Sequence, residues 1–339
     1  MSGADIPYHL RPHKAVDRRL FLDLLARYER WKPLSNFAYV SMGAYPLEDH
    51  KMIHRMIGLT KLIAFDFDEE VVARQKFNRP IEACRCIQKK SGDLISGLHS
   101  ILNGFGYDAA DGVVIWLDYT EPRKLGEQIR EFETLLSGLR AGDVVRVTVN
   151  AHLPALGNSK GADGKPVLAA ALRAQRFQKL KERIGDYLPS WASDEHLTES
   201  EFPKLLSASL AAAALKALPV GGANSFVPLS LVRYSDGHQM LSVTGAIVAR
   251  SEEGALMGRL SMDAWPFASS GWDKIHPLMV PILTVRERLF LEREIISKAP
   301  DQLVKEFGFE TVSEMKLEEF LGNYKKYYRF YPTLLSAEL

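Results

Sequence analysis

The sequence predicts an α/β protein built on an open, doubly wound, mostly parallel sheet. Two observations carry the parallel part. Five short apolar runs between Phe37 and Val149 alternate with segments of helical period, joined by short connections. These runs are continuous, as in Val113-Val114-Ile115-Trp116-Leu117, which suits strands covered on both faces. A third observation adds a hairpin: β-rich runs over 226–234 and 238–248 flank Ser235-Asp236-Gly237.

The elements follow in order. After Tyr8-His9-Leu10-Arg11-Pro12-His13-Lys14, the residues Ala15, Leu20, Leu24, Leu25 and Tyr28 recur near a 3.6-residue period until Pro33, which marks a helix. Residues 37–41 read as the first strand. Residues 47–57 read as a helix stopped by Gly58. Strand 61–65 runs into Asp66, helix 69–77 closes at Pro80, and strand 83–88 follows. Helix 93–102, strand 112–117, helix 124–139 and strand 143–149 complete the alternation. Residues 156–166 are rich in Gly, Asn, Lys and Asp and read as a mobile loop. A basic amphipathic helix over 168–187 and a second helical stretch over 199–218 precede the break at Gly221-Gly222. The tail from 280 to 331 reads as helical, interrupted by Pro300 and Gly308.

Composition excludes several classes. With 339 residues, 46% hydrophobic and 25% charged, the chain is neither disordered nor fibrous. Lys and Arg number 43 against 42 for Asp and Glu, so no overall field draws the chain to nucleic acid or to an anionic membrane. Two cysteines, Cys84 and Cys86, rule out a disulfide scaffold or a zinc finger and suit a reducing compartment. The first ten residues lack a signal-peptide pattern. The longest greasy segment, 208–220, is too short to span a bilayer and reads as a buried helix. The expectation is a cytoplasmic protein with no membrane partner.

In open parallel sheets ligands sit beyond the carboxyl ends of the strands. The first strand ends in Ser41-Met42-Gly43, where a glycine allows close approach to the backbone before a helix N-terminus. The second ends in Asp66, well placed for two ribose hydroxyls. The third is followed by Ser91-Gly92-Asp93, and the fourth by Asp118-Tyr119-Thr120-Glu121-Pro122. A single strand-end acid is more often a helix cap or a turn former. Three of them with one glycine form a constellation.

That constellation resembles the class I S-adenosylmethionine-dependent methyltransferases, over about 36–150 and the hairpin 226–248. The resemblance implies a seven-stranded Rossmann-like sheet with the antiparallel hairpin at its edge. It implies S-adenosylmethionine as the methyl donor. Ser41 and Gly43 would then stand in the cofactor-binding turn, Asp66 at the ribose, Asp93 at the adenine and Asp118 beside the methyl donor. Asp118 and Tyr119 are the expected catalytic pair at the acceptor, with Glu121 or His152 as base. The expected divisions are a helical cover over 1–35, the methyltransferase-like domain over 36–152 and 225–250, a helical insertion over 153–224 and a helical extension over 251–339. The sequence departs from the family in having one glycine where two or three are usual. It also lacks the Pro-Pro-aromatic run of many enzymes that methylate base nitrogens, which favours an oxygen nucleophile. The depleted glycine motif motivates an alternative, a catalytically silent subunit that binds or assembles within a bacterial multi-protein system.

Other groups carry weaker signals. Arg11, His13, Lys14, Arg18 and Arg19 form a basic segment suited to an anion or to an ordinary helix start. His50 and His54 share a helix face without a third ligand, and Asp118 with Asn150 only loosely resembles a metal site, so no metal is expected. Lys160, Lys165, Arg173, Arg176, Lys179, Lys181 and Arg183 give the insertion a basic stretch, read as a solvated helix, a lid or a nucleic-acid contact, with nucleic acid not favoured. The tail 323–331 mixes bases with aromatics and suits packing on the domain or against a protein partner or second copy.

Overall fold

The structure is a computed structural model that describes residues 12–160, 164–280, 283–309 and 316–331. Arg11 and part of the 156–166 loop lie outside the described residues, as does part of the tail.

Helix α1 (Pro12–Tyr28) starts on a proline, which fits the first helical turn because no N–H is needed there. It buries Val16, Leu20, Phe21, Leu24, Leu25 and Tyr28. The alternating unit follows as β1 (Ala38–Ser41), α2 (Glu48–Ile57), β2 (Lys61–Asp66), α3 (Glu69–Asn78) and β3 (Arg85–Gln88). Next come α4 (Ser91–Ser96), α5 (Leu98–Gly104), β4 (Val113–Asp118), α6 (Leu125–Gly138) and β5 (Val144–Asn150). The single helix expected over 93–102 is therefore two. Gly97 separates them, its N–H bonded to the carbonyls of Asp93 and Ile95.

The second half adds α7 (Ala169–Ile184), α8 (Phe202–Ala217), β6 (Asn224–Ser235), β7 (Gln239–Ala249) and α9 (Arg250–Arg259). Strand β8 (Ile275–Pro277) and helices α10 (Val285–Glu294), α11 (Pro300–Phe307) and α12 (Leu317–Tyr327) complete the described chain. The sheet order is β3-β2-β1-β4-β5-β7-β6-β8. The first five strands run parallel, and β7 and β6 form the expected antiparallel hairpin. Gly237, at φ +89°, turns the hairpin. The eighth strand was not expected. Three residues ending in Pro277 carry no readable strand pattern, and proline fits only at such an edge. No helix among the described residues is long and apolar enough to cross a membrane.

Strand alternation sends side chains to two cores. Tyr39, Leu62, Val114, Trp116 and Val144 pack with α1 and the C-terminal helices. Val40, Ile63, Phe65, Ile115, Leu117 and Val147 pack with α4, α5, α6 and α8. Within the predicted insertion, α7 lies on α6, and α8 lies on α6 and the hairpin strands.

One buried ion pair ties α1 to the sheet. Arg146 of β5 donates to the Asp17 carboxylate and to Thr244 Oγ1 (2.8 Å). Its guanidinium carbon lies 4.9 Å from the Phe21 ring and 4.7 Å from the Trp116 ring. Removing one partner strands the other charge in the core. Arg146→Met is therefore expected to destabilise the fold by about 3–5 kcal/mol in urea unfolding, and adding Asp17→Leu to recover most of that loss.

Candidate functional site

Parallel register brings three of the expected positions to one level. Ser41 pairs with Ala64 of β2 and with Trp116 of β4. Two residues farther along lie Asp66, the Gly43 turn and Asp118. Asp66 is level with Gln88 of β3, and Asp118 with Thr148 of β5. Neighbouring strands lie about 4.8 Å apart, so Asp66 and Asp118 flank the β1 turn roughly 10 Å apart across the sheet. Asp93 sits in the first turn of α4, exposed.

Asp66 is half-buried and accepts the N–H of Asp68 (2.9 Å). Burial raises its carboxyl above the usual range. The next residue, Phe67, holds its side chain 70% exposed. The sequence reading passed over Phe67, although an aromatic directly after a strand-end acid was a readable signal.

The β1 turn is held from below. Ser41 Oγ and the Tyr39 hydroxyl both donate to Asp49 Oδ2, at 2.6 and 2.7 Å. His50 lies beside it, fully buried, with Nδ1 3.2 Å from Asp49 Oδ1 and Nε2 3.1 Å from the Ile63 carbonyl. Both neighbours offer acceptor oxygens, an arrangement that favours a proton on each ring nitrogen and a charged imidazole. Burial opposes charge on each partner, but the Asp49 charge and these bonds raise the His50 pKa. The His50 charge, with bonds from His50, Ser41 and Tyr39, holds the Asp49 carboxyl far below its usual range.

Gly43 is fixed by the same packing. A Cβ there would come within 2.6 Å of Leu47 and 3.0 Å of His50, and the Gly43 carbonyl accepts from Gln75. Leu47, fully buried, closes the turn at φ +53°. That left-handed conformation costs a non-glycine residue about 1–2 kcal/mol.

Asp118 closes the row. Its Oδ2 accepts from the Lys14 ammonium of α1, while its Oδ1 is buried without a hydrogen-bond partner among the described residues. Beside it lies a small hollow of about 10 Å³, room for one water molecule, lined by Arg18, Ser41, Met42, Ala44, Glu48 and Asp118. Lys14 is held by a second carboxylate. Its backbone N–H donates to Asp236 Oδ2 (2.8 Å), and His13 Nδ1 lies 3.0 Å from Asp236 Oδ1. His13 Nε2 accepts from the Val280 N–H (2.9 Å), which puts the ring proton on Nδ1. Asp236 thus places negative charge at the positive end of α1.

Tyr119 does not join Asp118 at the hollow. It is buried in the α6-side core and its hydroxyl donates to Glu131. Burial and the Glu131 charge push its pKa well above the usual value. Exposed Glu121 caps the following turn by accepting the Arg123 N–H (3.0 Å). His152 follows the end of β5, its ring centroid 4.5 Å from that of His238. Burial and the His238 charge lower its pKa.

The remaining candidates have local roles. His54 Nδ1 bonds the Leu59 carbonyl, and among the described residues no three ligand-type side chains cluster for a metal. Asn150 Oδ1 accepts the His152 N–H (2.9 Å). Cys84 and Cys86 are free thiols on the α1-side core. A hydrogen bond from Cys84 pushes Cys86 down to about 7 and Cys84 up. Tyr324 and Tyr327 of the tail are buried.

The profile of a family described as "Putative O-methyltransferase" matches residues 6–339. The chain belongs to this O-methyltransferase family. A search of curated proteins finds no match. Among solved structures, the chain is similar to Trm1 from Pyrococcus horikoshii in complex with S-adenosyl-L-methionine. The identity is 12% and the TM-score 0.43, over 84% of this chain and 71% of that one. It is also similar to a mutant 16S rRNA (adenine(1408)-N(1))-methyltransferase from Catenulisporales acidiphilia. There the identity is 11% and the TM-score 0.32, over 66% of this chain and 92% of that one. The methyltransferase Rossmann-like fold implied by the strand-end residues is the fold of this family member, with one strand more than expected.

The Asp49–His50 pair makes a pH prediction. His50 binds its proton more tightly folded than unfolded, so its contribution is full below about pH 6.5 and fades as pH rises through its raised folded pKa. The Asp49 contribution is present above about pH 4 and is lost as pH falls through its depressed folded pKa. Urea unfolding of His50→Gln against the unmutated chain is expected to show the largest stability gap near about pH 5–6, narrowing as pH rises.

Proposed function

We propose that this chain transfers a methyl group from S-adenosylmethionine to an oxygen nucleophile. The level row of Asp66, the Gly43 turn and Asp118 carries the reading, because it sets two carboxylates on either side of the β1 turn at the strand ends. Asp118 Oδ1, buried and without a partner among the described residues, fits such a donor as an acceptor for a cationic or N–H group. In this reading Asp66 accepts from the ribose hydroxyls and the exposed Phe67 ring lies against the purine. Asp93 takes the base amino group, Ser41 and Gly43 shape the turn, and Asp118 faces the cationic end. When bound, the donor supplies a methyl group already activated by a sulfonium.

What remains for the protein is alignment and proton removal. His152 suits the second task. Burial and His238 keep its imidazole unprotonated at neutral pH, whereas Glu121 is exposed and occupied in capping. Asp118 then carries the catalytic part of the Asp118–Tyr119 pair, and Tyr119 holds the strand exit against Glu131. The two free thiols suit a cytoplasmic setting.

A second reading rests on Lys14. Its ammonium already occupies Asp118, as in a methyltransferase fold kept as a binding or assembly subunit.

Calorimetry with S-adenosylhomocysteine separates the two. The enzyme reading expects binding, weakened by about 1–3 kcal/mol in Asp66→Ala and strengthened in Lys14→Met, which vacates Asp118. The subunit reading expects no heat from either the unmutated chain or Lys14→Met. His152→Gln is expected to lower kcat/KM by about 10²–10⁴ without changing S-adenosylhomocysteine affinity. In the unmutated chain, activity should fall as pH drops through the depressed His152 pKa, where the base becomes protonated.

A further inference from the structure

Beyond the β4 exit lies a second, larger groove that the donor reading leaves unused. It has a volume of about 660 Å³. Its walls are the turn at Glu121, Pro122 and Arg123, the segment around Pro154, Ala155 and Gly157, and the α7 face bearing Lys179 and Arg183. In the chain these walls begin three residues after Asp118 and two after His152.

The groove is positively charged and firmly built. Arg123, Lys179 and Arg183 face Glu121, the one carboxylate in its lining. The Arg183 guanidinium is clasped between two segments, donating to the Pro122 and Ala155 carbonyls, each at 3.2 Å. Backbone contact sets the same wall: a Cβ on Gly126 would lie 1.8 Å from the Arg183 carbonyl oxygen. Two turns earlier on α7, Arg176 donates twice to the Gly157 carbonyl, at 3.0 and 2.8 Å. Burial and the neighbouring Arg123 charge lower the Arg183 pKa, against the smaller opposing effect of Glu121.

We propose that this groove binds an oxyanion, phosphate or carboxylate, carried by a small acceptor molecule whose reacting oxygen lies toward His152. Guanidinium groups held in place recognise such oxygens through paired N–H bonds. A small acceptor fits better than a polyanion because the cations are confined to one groove and the chain is nearly neutral overall. The identification of the ligand as the methyl acceptor rests on the proposed transfer reaction; the anion site does not.

Inorganic pyrophosphate and tricarballylate serve as probes, measured by calorimetry at low salt. The variants are Arg123→Gln/Lys179→Gln, both exposed positions that leave the clasped Arg183 intact, and Lys181→Gln/Lys305→Gln as an equal-charge control. At least one probe is expected to bind the unmutated chain and the control within twofold of each other, and to bind the groove variant at least tenfold more weakly. The better probe tells phosphate from carboxylate. Equal binding to all three proteins, or none to any, overturns the proposal. So does tight, length-dependent binding of single-stranded RNA that the groove variant loses, because the occupant is then a polyanion. S-adenosylhomocysteine is titrated in parallel. If it fails while the probe pattern holds, the transfer reaction falls and the anion site stands; the reverse pattern removes the site and leaves the reaction.

Discussion

Parallel register is the constraint on which the site depends. Strands that pair in parallel without a bulge keep their residues level, so positions an equal number of steps past a paired residue stay neighbours. Ser41, Ala64 and Trp116 are such a paired set, and Asp66 and Asp118 inherit their alignment. A one-residue slip of β2 or β4 would turn its acid to the opposite face and replace it with an apolar side chain. The continuous apolar strands make such a slip unfavourable, because their two faces meet different layers of helices.

Helix α1 connects this row to the rest of the molecule through charge. Asp17 is buried against Arg146 at the middle of the sheet, Lys14 reaches Asp118 at the strand end, and the Lys14 N–H reaches Asp236 at the hairpin turn. Apolar packing by Val16, Leu20 and Leu24 supplies the main attraction of the helix for the sheet. Because apolar contact has little directional preference, the three carboxylates fix where along the sheet the helix stops. The β1 turn is set in a comparable way, with Asp49 gathering hydroxyls from Tyr39 and Ser41 and a charge from His50.

The sheet was readable because burial on both faces leaves uninterrupted apolar runs, and because glycine and proline mark their ends. β8 escaped notice since three residues at an edge have too few neighbours to impose a pattern. The split between α4 and α5 was hidden because Leu94, Ile95, Leu98 and Leu102 keep one apolar face across Gly97. At the site, strand-end acids could be found from local pattern alone. The Lys14–Asp118 contact could not, since 104 residues separate the partners. Tyr119 is a different case. It shares parity with Ile115 and Leu117, whose faces are buried, so alternation alone would have directed it inward and away from Asp118.

The fastening of α1 to the hairpin turn also orders events during synthesis. Lys14 emerges 222 residues before Asp236, the carboxylate that receives its N–H. At about 5–20 residues per second, the leading helix waits roughly 10–45 s on the ribosome for its anchor. Through that interval Val16, Leu20 and Leu24 have no finished sheet to cover them.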